Sequence, residues 1–223
     1  MSCIKSSEMV MRTSSGLLIR CAALLLLTGC LADDQAEQVE SATNGQLMIP
    51  DTVRQELVQL GEEDQAIRQG LTPDRLQDTA FAKQMLRGDS ARTARLRMII
   101  EAYGWPDSVR VGPEASKAAF LILQHSPVHG FQRELLPTIE DLGQEGAIPR
   151  DEVALLVDRV LVHEGQPQRY GTQFSMIDGR LVLDSVADPA GLEERRRSMG
   201  LPTMDEYMKM LEELYQIQVV RQP

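Results

Sequence analysis

Cysteine is scarce in this chain, and its three positions all lie near the N-terminus. Cys3, Cys21 and Cys30 are the only thiols among 223 residues. We expect the first two to lie in a segment that is removed, and we assign the third to lipid attachment. The mature protein is therefore expected to hold no disulfide, even in a compartment that would permit one. Its fold must rest on its core, and thiol catalysis is excluded.

A long apolar run and an excess of basic charge are also missing. The apolar segment that ends at Leu24–Leu27 is far shorter than the ~20 residues needed to span a bilayer. The formal net charge is −10, which makes nucleic acid and anionic lipid surfaces poor partners. We therefore expect no nucleic-acid partner, and we expect membrane contact through acyl chains rather than through charge.

The N-terminus has the pattern of an export signal. Arg12 and Arg20 flank a short apolar segment, and small residues follow it, as in secretory signal peptides. The tetrad Leu27-Thr28-Gly29-Cys30 resembles a bacterial lipobox. That resemblance implies cleavage before Cys30, palmitate on Cys30 and an anchor in the cell envelope. An uncleaved membrane anchor is the alternative. Leu31 after the lipidated cysteine favours the outer membrane over the inner one.

Three segments follow from this pattern. Residues 1–29 are predicted to be a lipoprotein signal peptide, with Met1 or Met11 as the start. Residues 30–49 are predicted to be an acidic, flexible tether, since "ADDQAEQVESATNGQ" has little that can form a core. Residues 50–223 are predicted to be a single helical domain, which is long enough to bury a substantial core.

Hydrophobic periodicity predicts a mostly α fold with one β-hairpin. The two-stranded hairpin is expected near residues 169–186, because apolar and polar residues alternate there around a tight Asp178-Gly179 turn. Two strands are not stable alone, so they must pack on helices. Helices are predicted to begin at Asp51, Thr72-Pro73 (ending near Arg87), Asp89, Glu114, Phe131, Pro149, Asp188-Pro189 and Thr203.

The stretch 153–162 is apolar except for Asp158 and Arg159. The side chains of these two neighbours diverge by about 100° on a helix, so they do not pair with each other. Each needs its own partner, because an unpaired buried charge costs several kcal/mol. We expect Asp158 to meet a cation or several donors, and we expect Arg159 to meet a carboxylate, with Asp64 the leading candidate.

Several motifs resemble an uncharacterised bacterial domain family, a domain of unknown function. The similarity covers most of residues 60–210 in order, and its most specific block is residues 165–174. The resemblance implies a domain boundary and a set of residues, but no reaction. The motifs are "EDQAIR" at 63–68, "YGWP" at 103–106, "AAFLILQH" at 118–125, "DRV" at 158–160, "GQPQRYGTQF" at 165–174 and "RRRSMGL" at 195–201.

These polar residues have two interpretations. They either form a structural ion-pair and hydrogen-bond network, or they line a polar pocket that binds a small polar ligand or an envelope protein partner. Convergence on an open cleft would favour a site, and burial inside the domain would favour the structural network. The candidate ligand-binding residues are Gln124, His125, Gln132, Asp158, Arg159, Gln168, Tyr170, Thr172 and Gln173.

Standard catalytic motifs are missing from the sequence. It has no nucleophile elbow, phosphate-binding loop or dinucleotide motif. His125 and His129 have a helical metal spacing, but Pro127 lies between them, so we expect no metal and no cofactor. The alternative function is a hydrolase or transferase in which His125 is a general base oriented by Asp158.

Overall fold

The computed structural model describes residues 9–12, 18–21, 48–69, 71–72, 75 and 78–221. Within the predicted signal segment, strands β1 (Met9–Arg12) and β2 (Leu18–Cys21) form an antiparallel pair. Cys30, the lipobox and most of the predicted tether lie outside the described residues. In the part of the chain that is described, no helix is both long and apolar enough to cross a membrane.

The domain is mostly α-helical, which confirms the predicted fold class. The helices are α1 (Asp51–Gln69), α2 (Thr79–Tyr103), α3 (Ser108–Gln124), α4 (His129–Gln144), α5 (Arg150–His163), α6 (Leu192–Ser198) and α7 (Met204–Tyr215). A 3₁₀ turn at Pro189–Gly191 precedes α6. The remaining strands are β3 (Phe174–Ile177), β4 (Arg180–Leu183) and β5 (Val219–Val220).

The predicted hairpin is present but narrower than expected, and a third strand extends it. Strands β3 and β4 are antiparallel and are joined at Asp178 and Gly179, whose φ angles are 50° and 74°. Two consecutive positive φ values are what a type I′ hairpin turn requires. Strand β5 pairs with β4 in parallel, so the sheet has three strands. A two-residue strand is too short to produce an alternating pattern, so the sequence did not indicate it.

The prediction that a helix begins at Asp89 is wrong, because α2 continues through that residue. The helix begins instead after Asp78, whose Oδ1 accepts a hydrogen bond of 2.8 Å from the N–H of Ala80. Asp89 lies inside the helix and is buried. A carboxylate that caps a helix and one that enters a buried ion pair look alike in a sequence, and Asp89 belongs to the second kind.

Two hydrophobic clusters stabilise the domain. The larger one lies among α1 to α5 and includes Leu57, Leu96, Phe120, Ile139 and Leu156. The smaller one lies beneath the sheet and includes Phe174, Leu181, Met204, Tyr207 and Leu211. The segment between α5 and β3, residues 164–173, joins the helix that crosses the first cluster to the strand that enters the second.

Candidate functional site

The side chain of Asp158 binds the main chain of the loop that follows α5. Its Oδ1 accepts hydrogen bonds from the N–H groups of Arg169 (2.7 Å) and Tyr170 (3.0 Å). Its Oδ2 accepts from both the N–H and the hydroxyl of Thr172, each at 3.0 Å. The side chain is fully buried. Burial raises the pKa of Asp158, and the donors of Tyr170, Thr172 and Arg169 oppose that rise. The prediction that Asp158 meets several donors is confirmed.

The side chain of Arg196 binds main-chain carbonyl groups of the same loop. Its Nη1 donates to the carbonyl oxygens of Tyr170 (2.6 Å) and Gly171 (3.2 Å), and its Nε donates to that of Pro202 (2.7 Å). The guanidinium lies 5.0 Å from the centre of the Tyr207 ring, a cation–π distance. The neighbouring Arg195 donates to the carbonyl of Arg169 at 2.8 Å. The main chain of the loop is thus bound on both its donor and acceptor sides.

Gln168 and Gln173 close the loop against strand β4. The side chain of Gln168 donates to the carbonyls of Gln173 (3.0 Å) and Asp184 (2.8 Å), and it accepts from the N–H of Gln173 at 2.8 Å. The side chain of Gln173 donates to the hydroxyl of Thr172 at 2.9 Å. All of these side chains except that of Asp184 are buried. Their hydrogen bonds are therefore made within the protein, where a missing partner costs about 1–3 kcal/mol.

Gln132 and Arg159 cap the C-terminal end of α3. The amide of Gln132 donates to the carbonyls of Leu123 and Gln124, each at 3.0 Å, and Arg159 also donates to the carbonyl of Gln124. Donors and cations are favourable here because the last carbonyls of a helix have no partner within it. The predicted pair of Arg159 with Asp64 is wrong: a carbonyl at a helix end takes this contact, which sequence spacing cannot reveal.

Asp64 belongs instead to a buried ion cluster between α1, α2 and the end of α3. Its carboxylate lies 2.8 Å from Arg68 and 3.6 Å from Arg92, and its Oδ2 lies 2.7 Å from Nδ1 of His125. Asp89 pairs with Arg68 at 2.8 Å and with Arg92 at 2.7 Å. Burial favours a higher pKa for Asp64, but the charges of His125, Arg68 and Arg92 outweigh it and lower that pKa to about 2.

The predicted orientation of His125 by Asp158 is also wrong. Asp64 is the carboxylate that contacts the ring of His125, while both oxygens of Asp158 are engaged by the loop. Asp158 was the predicted partner because it is the acidic residue of the apolar stretch 153–162. The motif around Asp64 was part of the family resemblance, so the sequence held a signal for the true partner.

Eight of the nine candidate ligand-binding residues are buried, and they fall into separate groups. Gln124, His125, Gln132 and Arg159 surround the end of α3, whereas Asp158, Gln168, Thr172 and Gln173 fix the loop. Their burial supports the structural interpretation of these residues. Tyr170 differs, because its side chain is half-buried and lines an open groove.

The groove has a volume of about 290 Å³ and lies between α4, α5, the loop and the end of α6. Val153 and Val157 contribute apolar surface, and Tyr170 lies beside them. An apolar floor with a few polar groups is the usual composition of a small-molecule site. The lining residues are Glu140, Gly143, Gln144, Arg150, Val153, Val157, Tyr170, Ser198 and Met199.

Gly143 allows α4 and α5 to approach closely beside this groove. A Cβ atom on Gly143 would lie 2.5 Å from Cγ2 of Val153, a distance that real side chains do not adopt. The α4 residues Glu140 and Gln144 were not among the predicted site residues, because polar residues on an exposed helix face are ordinary. Their spacing of four residues, which places both on one face of a helix, was the available signal.

Tyr170 presents a protonated phenol to the groove. Burial raises the pKa of Tyr170 above its ordinary value of 10.0. The charge of Arg169 and its hydrogen bond to the phenol oppose that rise, and the carboxylates of Asp158 and Glu140 add to it. The hydroxyl therefore remains a hydrogen-bond donor at neutral pH. Among the described residues, no group of three or more His, Cys, Asp and Glu side chains is arranged to hold a metal ion.

The fold and the clamped loop define a mostly α-helical domain with a small three-stranded sheet and a mixed apolar and polar groove. The chain belongs to a family of unknown function (DUF6624), whose sequence profile matches residues 50–220. The expected membership of an uncharacterised domain family is thereby confirmed. No curated protein matches the chain, and no solved structure does.

Proposed function

We propose that this protein is an exported lipoprotein whose helical domain binds a small polar ligand in the groove beside Tyr170. The main support for this proposal is that the main chain of Tyr170 is fixed from two sides. Asp158 accepts the N–H of Tyr170 and Arg196 donates to its carbonyl, so two buried opposite charges fix its main chain while its phenol reaches the groove.

Such a clamp exceeds what a connecting loop needs. A surface loop can satisfy its peptide groups with water, whereas this one uses two fully buried charged side chains. Burying a charge costs several kcal/mol before its hydrogen bonds are counted. A binding site gains from this arrangement, because a side chain fixed by its supporting residues loses little conformational freedom when a ligand binds.

The lining of the groove supports a small ligand with both apolar and polar parts. Val153 and Val157 are buried core residues that provide apolar surface. The phenol of Tyr170, the carboxylate of Glu140 and the amide of Gln144 provide donors and acceptors. An envelope protein that inserts a polar side chain into the groove is the alternative partner for the same site.

The anchoring part of the proposal rests on the N-terminal sequence. The tetrad ending at Cys30 implies acylation, and stable attachment to a bilayer requires two or more acyl chains. The acidic segment 30–49 would keep the domain away from the headgroups. Leu31 favours the outer membrane when two membranes are present.

The alternative function, a hydrolase or transferase, would use His125 with Asp64 rather than with Asp158. Nδ1 of His125 lies 2.7 Å from Oδ2 of Asp64, which is the arrangement of a general base and the residue that orients it. However, His125 is only 1% exposed. A substrate would therefore have to reach it through an opening of the domain, and we favour the groove as the site.

A capture experiment tests the groove. The full chain, purified in detergent, is incubated with a bacterial polar-metabolite extract, and retained compounds are identified by mass spectrometry. We expect one or a few small polar compounds to be enriched and Tyr170→Ala to lose them. Tyr103→Ala, which removes another half-buried tyrosine, is the matched control and should retain them. Equal enrichment by the Tyr170 variant and the wild type would refute the proposed site.

A further inference from the structure

Two opposite charges line the groove, and neither has an ion pair with another described residue. Glu140 on α4 and Arg150 at the start of α5 both line it. Among the residues that the structure describes, neither takes part in a salt bridge or a side-chain hydrogen bond. By contrast, Arg95 on α2 binds Glu56 on α1 at 2.6 Å. The unpaired charges of the groove are thus available to a ligand.

The carboxylate end of the groove lies beside Tyr170. Glu140 is half-buried and lines the groove together with Tyr170. A carboxylate next to an aromatic ring favours a cation, through an ion pair with the carboxylate and through the electron-rich face of the ring. This end of the groove therefore fits an ammonium group.

The guanidinium end lies at the first residue of α5. Arg150 occupies a position where the helix dipole disfavours a cation, and Pro149 before it makes no side-chain cap. A ligand anion beside Arg150 would gain from the guanidinium and would relieve its unfavourable interaction with the positive end of the helix. This end of the groove therefore fits a carboxylate.

We propose that the ligand is a zwitterion of the size of an amino acid or a dipeptide, with a short apolar side chain. Its ammonium would bind Glu140 and Tyr170, its carboxylate would bind Arg150, and its apolar part would lie on Val153 and Val157. The lining holds one negative and one positive charge, so it does not match a polyanion such as a nucleotide. A volume of about 290 Å³ lies at the lower limit for ligand pockets and fits a compound of this size.

This inference rests on the proposed groove, and its test uses three related probes. They are the dipeptide L-alanyl-L-leucine with free termini, its N-acetyl form and its C-terminal amide, each titrated into the full chain by calorimetry. We expect the free dipeptide to bind and each blocked form to bind at least tenfold more weakly. Equal affinities for all three probes, or no binding of the free dipeptide, would overturn the zwitterion assignment.

Two variants, each of which removes one charge from the groove, test which end of the ligand each charged residue binds. Glu140→Gln should remove the discrimination against the acetylated probe, and Arg150→Gln should remove the discrimination against the amide. Glu134→Gln, on the same helix as Glu140 but outside the groove, and Arg180→Gln, at the start of strand β4, are the matched controls. Discrimination that persists in both groove variants would also overturn the assignment.

Failure of this inference and failure of the proposed function give different results. If the groove binds some other class of compound, the metabolite capture still depends on Tyr170 while the dipeptide titrations show no discrimination. If the groove is not a binding site, the capture itself does not depend on Tyr170.

Discussion

Asp158 and Arg196 bind the same residue from opposite sides of its main chain. Oδ1 of Asp158 accepts the N–H of Tyr170 at 3.0 Å, and Nη1 of Arg196 donates to the carbonyl of Tyr170 at 2.6 Å. Both side chains are fully buried. A residue of the loop thus stands between a buried anion and a buried cation, and each charge is compensated largely by peptide dipoles.

Asp158→Asn should destabilise the domain strongly. The substitution removes the negative charge and one acceptor oxygen, and it directs an amide N–H₂ toward loop N–H groups that need an acceptor. We expect the free energy of unfolding to fall by about 3–5 kcal/mol, measured by urea denaturation. Asp184→Asn, which changes a half-buried carboxylate next to the same loop, is the control and should cost much less. A loss below about 0.5 kcal/mol for Asp158→Asn would contradict the clamp.

Asp64 should make stability depend on acid pH. Its pKa is about 2 in the folded protein and 3.8 ordinarily, so the folded state favours the charged form. The resulting stabilisation, about 2 kcal/mol, is fully present above pH 4 and is lost as the pH falls through 2. We expect the stability gap between the wild type and Asp64→Asn to be wide at pH 5 and to narrow below pH 4.

This comparison isolates Asp64 from the other buried carboxylate. The pKa of Asp158 is raised by burial, so Asp158 contributes to the pH dependence with the opposite sign. That contribution is the same in both proteins and cancels in the difference. A gap that stays constant between pH 5 and pH 2 would show that Asp64 is not held in its charged form.

His125→Gln should separate the two functional proposals. The residue lies in the buried ion cluster, so we expect a loss of about 1–3 kcal/mol in stability. Ligand binding in the groove should be unchanged, because His125 does not line it. Chemical denaturation and calorimetric titration of the same preparation measure both quantities. Full stability together with loss of a newly found activity would support the enzymatic alternative instead.

Cys30→Ser should abolish lipid attachment. The lipobox resemblance implies that Cys30 is the acylated residue, and serine has no thiol to accept the lipid. We expect the wild type to incorporate labelled palmitate and to fractionate with membranes, and the variant to do neither. Labelling of the variant, or no labelling of the wild type, would exclude the lipoprotein assignment.

The parts of the fold that local chemistry determines could be predicted from the sequence. Thr203 and Glu206 form a reciprocal capping box at the start of α7, as expected of a threonine in front of an amphipathic segment. The Asp178-Gly179 turn and the helix that follows Asp188-Pro189 are also where the sequence placed them. Each of these depends only on neighbouring residues.

The candidate site could be predicted only in part, because its contacts come from distant segments. The divergence of Asp158 and Arg159 indicated that each needs a separate partner, but the partners are main-chain groups whose positions depend on the tertiary fold. Glu140 and Arg150 are ten positions apart on different helices. Only the packing of α4 against α5 brings them to one groove.

The close packing of α4 against α5 requires a residue without a side chain at position 143, which is Gly143. Because any larger side chain there would collide with Val153, the distance between the two helices depends on a residue that carries no charge. The width of the groove and its charge are therefore encoded at different positions. Related sequences could change the width of the groove through position 143 while keeping its charges, or could change its charges through positions 140 and 150 while keeping its width.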